Sequence, residues 1–393
     1  MRLSSFNPFS RPAERKASAA RSVVALSGLS APVWTPRDYA SHARAGFERK
    51  VNAYRCVRLV SEAAASIPLK VVDGGAAASE HPLLSLLQHP NPEQSGVELL
   101  ETLYGFLQTA GNAYLEAVTL DGDVRELYAL RPDRMKVRLG ARGWPEGFDY
   151  TVGGRTAAFR AGNDGFSPIL HLKLFHPTND HYGLSPLEAA SGAVDLHNAA
   201  LAWNKALLDN SARPSGALVY SGPEGAENLT DEQFARLKSE LSEIYSGARN
   251  AGRPLVLDGG LDWRAMSLSP AEMDFIEAKN QAAREIALAF GAPPMLLGIP
   301  GDNTYSNYRE ANLAFYKQTV LPLAKKTAAA LTNWLAPRFS GARIECDLDG
   351  VEALATEREA LWSRVSSASF LDEDEKRRAL GLAPHNEWSM SDE

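Results

Sequence analysis

Three histidines, His171, His176 and His181, recur at five-residue intervals, and imidazole is a common ligand for zinc. A spacing of five matches neither the 3.6-residue turn of a helix nor the two-residue alternation of a strand. The three therefore read as surface or core histidines, not a metal centre. Gly301-Asp-Asn-Thr304 shares its first residues with a calcium loop, but the further Asp/Asn positions and the distal Glu are missing. That stretch reads as an Asx-type turn starting the next helix. No Gly-x-x-x-x-Gly-Lys, Gly-x-Gly-x-x-Gly, His-Glu-x-x-His or Gly-x-Ser-x-Gly pattern occurs, and no Gly-Lys dipeptide exists to build a P-loop. No catalytic residue, metal site or cofactor is expected. What remains is hydrogen-bonding chemistry around one polar loop, at Asn303, Thr304, Tyr305, Asn307, Tyr308 and Arg309. Those groups suit a nucleic-acid backbone, Arg309 by charge and the others by hydrogen bonds; the alternative is that they pack the loop.

Two helical patterns flank that loop. The first opens at Ser269-Pro-Ala-Glu272 and stops at Gly291-Ala-Pro-Pro294; the second runs from about Asn307 to Arg338 with Pro322 in its middle. A proline there removes one backbone bond and predicts a kink. Ser185-Pro-Leu-Glu188 repeats the proline-bearing capping box and predicts a helix to about Asn210. That helix is rich in alanine (Ala189, Ala190, Ala193, Ala199, Ala200, Ala202, Ala206). Small side chains let another helix approach closely, in the same chain or another subunit. Helices 185–210 and 269–291 can run side by side as a stalk, with the segment 211–268 at its tip. Acids outnumber bases on the stalk (Glu188, Asp195, Asp209, Glu272, Asp274, Glu277, Glu285 against Lys205, Lys279, Arg284). This is either an ordinary solvated face or a lining that repels phosphate.

The rest of the chain is α+β. Val51, Tyr54, Val57 and Val60 predict a helical stripe ended by Ile67-Pro68, and Leu69 to Val72 a strand. Helices are expected over Pro82 to Gln88 and over Val97 to Thr109, the latter with Leu100, Leu103, Tyr104 and Leu107 on one face and Gly111 as its stop. Strands are expected at 113–118, 124–130, 135–139, 150–152 and 169–175, the last continuing the sheet. In the tip, Gly216 to Tyr220 is a strand, Thr230 caps a helix, and 254–257 and 261–266 form a hairpin. A strand at 343–348, a helix at 351–365 and a short helix at 372–380 close the chain.

The chain has 393 residues, 45% hydrophobic and 23% charged, with a net charge of −7. That supports a sizeable core and argues against wholesale neutralisation of nucleic-acid phosphates. Cys56 and Cys346 are the only cysteines, so a reducing cytosol is expected. No apolar run reaches a membrane span and no signal peptide is read. Residues 1–50 hold nine Lys/Arg against three acids; they read as a flexible tail, or as an arm that orders on an acidic partner.

The chain resembles the portal proteins, the head-to-tail connectors of tailed bacteriophages, of the siphophage and gene transfer agent type. The carrying segments are Tyr54-Arg-Cys-Val-Arg-Leu-Val-Ser61, His89-Pro-Asn-Pro92, Gly111-Asn-Ala-Tyr114, Leu130-Arg-Pro-Asp133 and Tyr182-Gly-Leu-Ser-Pro186. They continue with Asn210-Ser-Ala-Arg-Pro-Ser-Gly216, Phe290-Gly-Ala-Pro-Pro-Met-Leu-Leu-Gly298 and Asn307-Tyr-Arg-Glu-Ala-Asn312. Each is short, and their order across 50–340 makes the set specific. The resemblance implies a portal fold assembled as a dodecameric ring around double-stranded DNA. Residues 1–47 would be a basic arm and 48–184 the wing. Residues 185–210 and 269–291 would be stem helices, with 211–268 the clip between them. Residues 292–306 would be the tunnel loop, 307–349 the kinked wing helix and strand, and 350–393 a reduced crown. Implied partners are the large terminase, the major capsid protein, and head-completion, adaptor and tail proteins. The implied location is the portal vertex of a phage-like particle, assembled in the bacterial cytoplasm. Two other classes stay open on the residues: a metal-dependent nucleic-acid-processing enzyme, which would need clustered acids or histidines, and a monomeric adaptor or scaffold.

Overall fold

Helix α1, Val51–Ala65, buries Ala53, Cys56, Val57, Val60 and Ala64, a stripe at the 3–4–3–4 spacing of an amphipathic helix. The expected stripe was half displaced: Val57 and Val60 are buried, while Val51 is 80% exposed and Tyr54 42% exposed. A strict three-residue step drifts about 60° round the helix each time, so four such residues cannot all face one core. The structure is a computed structural model. It describes residues 43–48, 50–74, 76–209, 216–220, 261–265, 275–299 and 305–382, with Tyr39 and a few positions between 230 and 239. The basic arm before Tyr39, the helix expected after Thr230 in all but those few positions, the stretch 254–257 and the tail after Leu382 lie outside the described residues.

After α1 come strands β1, Leu69–Asp73, and β2, Ala76–Ala77. Helix α2, Pro82–Gln88, starts where His81 Nδ1 accepts the Leu83 N–H at 3.1 Å. Helix α3, Gly96–Ala110, is opened by a reciprocal box between Ser95 and Glu98 and closed by Gly111 at φ 70°. It buries Leu99, Leu103, Tyr104 and Leu107 and packs along α1, while Leu100 is half-buried.

Strands β3 (Asn112–Leu120), β4 (Asp123–Leu130) and β8 (Ile169–Lys173) form one antiparallel sheet in the order β4-β3-β8. Strands β5 (Met135–Leu139), β6 (Pro145–Val152) and β7 (Arg155–Arg160) form another. The single sheet expected from sequence is thus two, joined by Tyr114, Leu130, Met135 and Ile169, with Phe148, Tyr150 and Phe159 packed against them. Strand β6 begins five residues earlier than expected because Pro145, Gly147, Phe148 and Asp149 pair with Leu139, Arg138, Val137 and Lys136. Strand β7 is almost wholly exposed, so it carries no apolar alternation by which to be read.

The expected single helix from Ser185 is broken. Ser185 Oγ accepts the Glu188 N–H at 2.9 Å and starts α4, Pro186–Ala189; Ala190 leaves helical geometry at ψ 1°, and α5 runs Ser191–Asp209. Beyond it, β9 (Gly216–Tyr220) pairs antiparallel with β10 (Leu261–Ala265), Leu218 opposite Trp263. The described partner of β10 is therefore a strand some forty residues back, where the sequence suggested the hairpin neighbour 254–257.

Helix α6, Phe275–Ala289, packs along α5. After the loop, α7 (Tyr305–Phe315) leads into a π-helical turn, Tyr316–Val320, and then α8 (Leu321–Leu335). Pro322 lacks an N–H, so the carbonyl four residues before it has no helical donor. The chain absorbs this as the π turn, in which the Leu321 N–H reaches the Tyr316 carbonyl. Helix α8 buries Leu323, Ala324, Thr327, Ala328, Leu331 and Leu335, and Trp334 Nε1 donates to the Ser167 carbonyl at 2.8 Å. Strand β11 (Arg343–Cys346) pairs with β1, Ile344 opposite Val71. Helices α9 (Ala355–Ser367) and α10 (Glu373–Ala379) follow. One continuous core joins α1, α3, the β3 sheet, α6 and α8.

Candidate functional site: a polar loop and the helices that carry it

The loop leaves from a rigid base. Phe290, Ala292 and Ile299 are all buried. The Ala292 N–H bonds the Ala287 carbonyl at 2.9 Å, the Ile299 N–H bonds the Pro294 carbonyl at 3.2 Å, and Thr319 Oγ1 donates to the Gly291 carbonyl at 2.8 Å. A 3₁₀ turn, Pro294–Leu297, fills the step between them. Beside it lies a cavity of about 380 Å³ lined by Arg284, Leu288, Pro293, Pro294, Phe315 and Gln318, among others.

Asn303 and Thr304 lie outside the described residues, and so does the side chain of Tyr305, whose backbone is the first residue of α7. Asn307 and Arg309 are described, and both are exposed. Two residues apart on a helix puts them about 200° apart around the axis, so the structure does not bring them to one face. Asn307, Tyr308, Arg309 and Glu310 are all exposed in succession. Four consecutive residues complete a helical turn, so every side of this turn reaches solvent. The residue types do not indicate it, because only packing decides it.

The stalk pair is two-faced. On α5 the residues Ala193, Val194, His197 and Ala200 are buried, facing α6, which buries Ala282, Ala283, Ile286 and Ala287. The other side of α5 exposes Gly192, Leu196 and Ala199. Alanines thus serve the intrachain contact, as the spacing allowed, and a second stripe, small at Gly192 and Ala199 and apolar at Leu196, stays open.

The stalk is rooted in the sheet by two of the quoted segments, and here sequence reading missed the working residues. Asn112 Oδ1 accepts the Gly183 N–H at 2.8 Å and contacts His171 Nε2 at 3.0 Å; its Nδ2 donates to the Ala110 carbonyl at 2.8 Å. The two glycines meet backbone to backbone: a Cβ on Gly183 would sit 2.2 Å from the Gly111 carbonyl oxygen. His171 stacks on Tyr114 with centroids 4.4 Å apart, and burial holds its pKa down at about 4. Tyr182 Oη accepts the Val137 N–H at 3.0 Å, tying in the second sheet. In His89-Pro-Asn-Pro92, Asn91 Nδ2 donates to the Leu127 carbonyl at 2.9 Å and the Leu127 N–H to the Pro90 carbonyl at 2.7 Å. The only signal was that Asn91, Gly111, Asn112, Tyr114, Tyr182 and Gly183 fall inside the family-like segments; their partners lie far along the chain.

His176 Nδ1 accepts the Thr178 N–H at 3.2 Å, a local turn. Among the described residues no group of three or more His, Cys, Asp or Glu is placed to hold a metal ion. No helix among them is long and apolar enough to cross a membrane.

Comparison with known proteins gives a consistent picture. The sequence model of the phage portal protein family matches residues 52–381. A chain in the neck of an empty gene transfer agent particle, determined with C6 symmetry, is 53% identical over 90% of this chain and 96% of its own, with a TM-score of 0.70. The neck of the native particle, determined with C12 symmetry, gives the same identity and coverage and a TM-score of 0.68. The probable portal protein of Streptomyces phage phiC31 is 27% identical over 92% of this chain and 83% of its own length.

Proposed function

This chain belongs to the phage portal protein family, and from that premise we propose that twelve copies form the ring at one vertex of a phage-like particle through which double-stranded DNA is packaged and ejected. The observation that carries the reading is the 53% identity to a gene transfer agent neck chain over nine-tenths of the sequence. In this reading residues 48–184 with 307–349 are the wing, α5 and α6 the stem, 211–268 the clip, 292–306 the tunnel loop and 350–393 a reduced crown. Residues 307–310 of α7, all exposed, fit a segment placed in a channel or against the next subunit.

A conduit must guide DNA without holding it, since each strong phosphate contact has to break as the duplex advances. A net charge of −7 suits that role. Asn303, Thr304, Tyr305, Asn307 and Arg309 are the proposed channel contacts: a few polar groups and one charge, not a basic groove. We read the chain as a structural subunit with no catalytic step; the energy for packaging comes from a separate terminase docked on the clip. Head-completion and tail proteins take that place later, and the major capsid protein surrounds the wing. Assembly takes place in the bacterial cytoplasm.

Cryo-electron microscopy of particles, or native mass spectrometry of the purified chain, tests the ring. Projections down the axis should show twelve subunits around an open lumen. A chain that stays monomeric, with capsid protein present as well, overturns the reading and favours the adaptor.

A further inference from the structure

The C-terminal helices α9 and α10 stand off the body of the subunit. Val365 is the only buried residue of α9, and α10 buries none. Polar ties hold α9 in place. Lys317 of the π turn pairs with Glu357, and Arg358 bonds the Asp349 carbonyl and lies 3.7 Å from the Asp349 carboxylate. Between these helices and the surface of α8 and β11 lies a cavity of about 1140 Å³. Ala328, Ile344, Leu348, Leu354, Leu361 and Leu380 give it an apolar lining.

The charges around the cavity do not cancel. Its described lining holds four acids, Glu345, Asp347, Asp349 and Glu357, and each is already engaged. Glu345 lies 3.8 Å from Arg343, Asp347 Oδ1 accepts the Asp349 N–H at 3.0 Å, and Asp349 and Glu357 hold α9. Of the five cations, Lys317 and Arg358 are the other halves of those ties. Lys70, Lys325 and Arg364 form no ion pair or side-chain hydrogen bond among the described residues. An apolar trough with three uncompensated cations suits a short segment that is both acidic and apolar.

Such a segment leaves from the rim of the cavity. Gly381 lines it, and Leu382, the last described residue, comes next. Residues 383–393 carry Glu387, Asp392 and Glu393 with no Lys or Arg, and Trp388 and Met390 as apolar groups. Trp388 is six residues past Leu382, within about 20 Å even of a fully extended chain.

We propose that residues 383–393 close this cavity in their own subunit. Trp388 and Met390 go to the apolar wall and the acids to Lys70, Lys325 and Arg364, so that the tail pins α9 and α10 to the body. A tether at the rim holds the segment at an effective concentration on the order of millimolar. The same segment of a neighbouring copy gains that only inside an assembly. The latch therefore works in a lone subunit as well as in a ring.

Thiol chemistry reads the cavity directly. Cys346 lines it, Cys56 is fully buried, and the chain has no other cysteine. In full-length chains under native conditions, Trp388→Ala should speed alkylation of Cys346 by about tenfold, the loss of one buried aromatic side chain. Lys325→Glu should speed it by about threefold, and Trp388→Phe should react nearly as wild type does. A wild-type rate in Trp388→Ala or in Lys325→Glu overturns the latch. Cys56 is the folding control: if it also reacts in a variant, that variant has unfolded, and Ser389→Cys decides instead. Oxidised with diamide, the thiol introduced there should form a disulfide with Cys346 inside one chain. A band of twice the chain mass on a non-reducing gel overturns the proposal in favour of a neighbour's tail, and no disulfide at all overturns it outright.

Discussion

The root of the stalk and the stalk itself treat polar and small residues in opposite ways. At the root, Asn112, His171, Gly111 and Gly183 satisfy one another within a single subunit. A few turns along the stalk, His197 Nδ1 and Asn198 Oδ1 are buried without partners, and Leu196 and Leu288 face solvent. The first region is finished by its own chain; the second is left for others to finish. A subunit that must fold before it assembles needs that division, because surfaces reserved for neighbours cannot also be what holds the monomer together.

Mutations sort these regions by stability lost. The largest loss is expected at Gly183→Ala. A Cβ there would meet the Gly111 carbonyl oxygen at 2.2 Å and the Leu174 backbone nitrogen at 2.6 Å, and backbone cannot step aside as a side-chain tip can. The expected cost is about 3 kcal/mol or more, read by denaturant unfolding; a shift within experimental error would show that the root is looser than its contacts indicate.

Acid should act next. His171 falls from the usual 6.5 to about 4 in the folded chain, chiefly by burial. Between those values the unfolded chain binds a proton that the folded chain does not, so stability is full above about pH 6.5 and declines as pH falls toward 4. The loss should reach at most about 3 kcal/mol. His171→Gln, which keeps a hydrogen-bonding group without titrating, should flatten that part of the pH–stability curve; an unchanged curve would put the acid sensitivity elsewhere.

The smallest effect on the monomer belongs to the stalk. Ala199 is exposed on α5, so Ala199→Trp should change unfolding by less than about 0.5 kcal/mol while blocking ring formation by its bulk. If assembly proceeds normally, the open stripe of α5 faces solvent in the ring, and the contrast between root and stalk loses half its meaning.

Much of the fold was legible because it is local. The Gly111 stop, the Ser185 cap and helix 82–88 depend on groups within four residues of one another, and the ordered short segments identified the family. Other features came from the chain returning on itself. Whereas the π turn before Pro322 answers the missing proline N–H and is local, these include the pairing of Leu261–Ala265 with Gly216–Tyr220. The exposure of Val51 and Tyr54, and the bonds of Asn112 and Asn91 to backbone dozens of residues away, arise in the same way. Of the polar loop, sequence alone supplied the residue types, and the structure added what carries them: a buried base at Ile299 and an exposed helix turn at 307–310. Residue type and spacing determine which backbone states are cheap and which side chains can bond. Burial, charge neighbours and unpaired groups are properties of the assembled surface, so tertiary structure alone decided that Asn112, His171 and Gly183, each ordinary in sequence, meet.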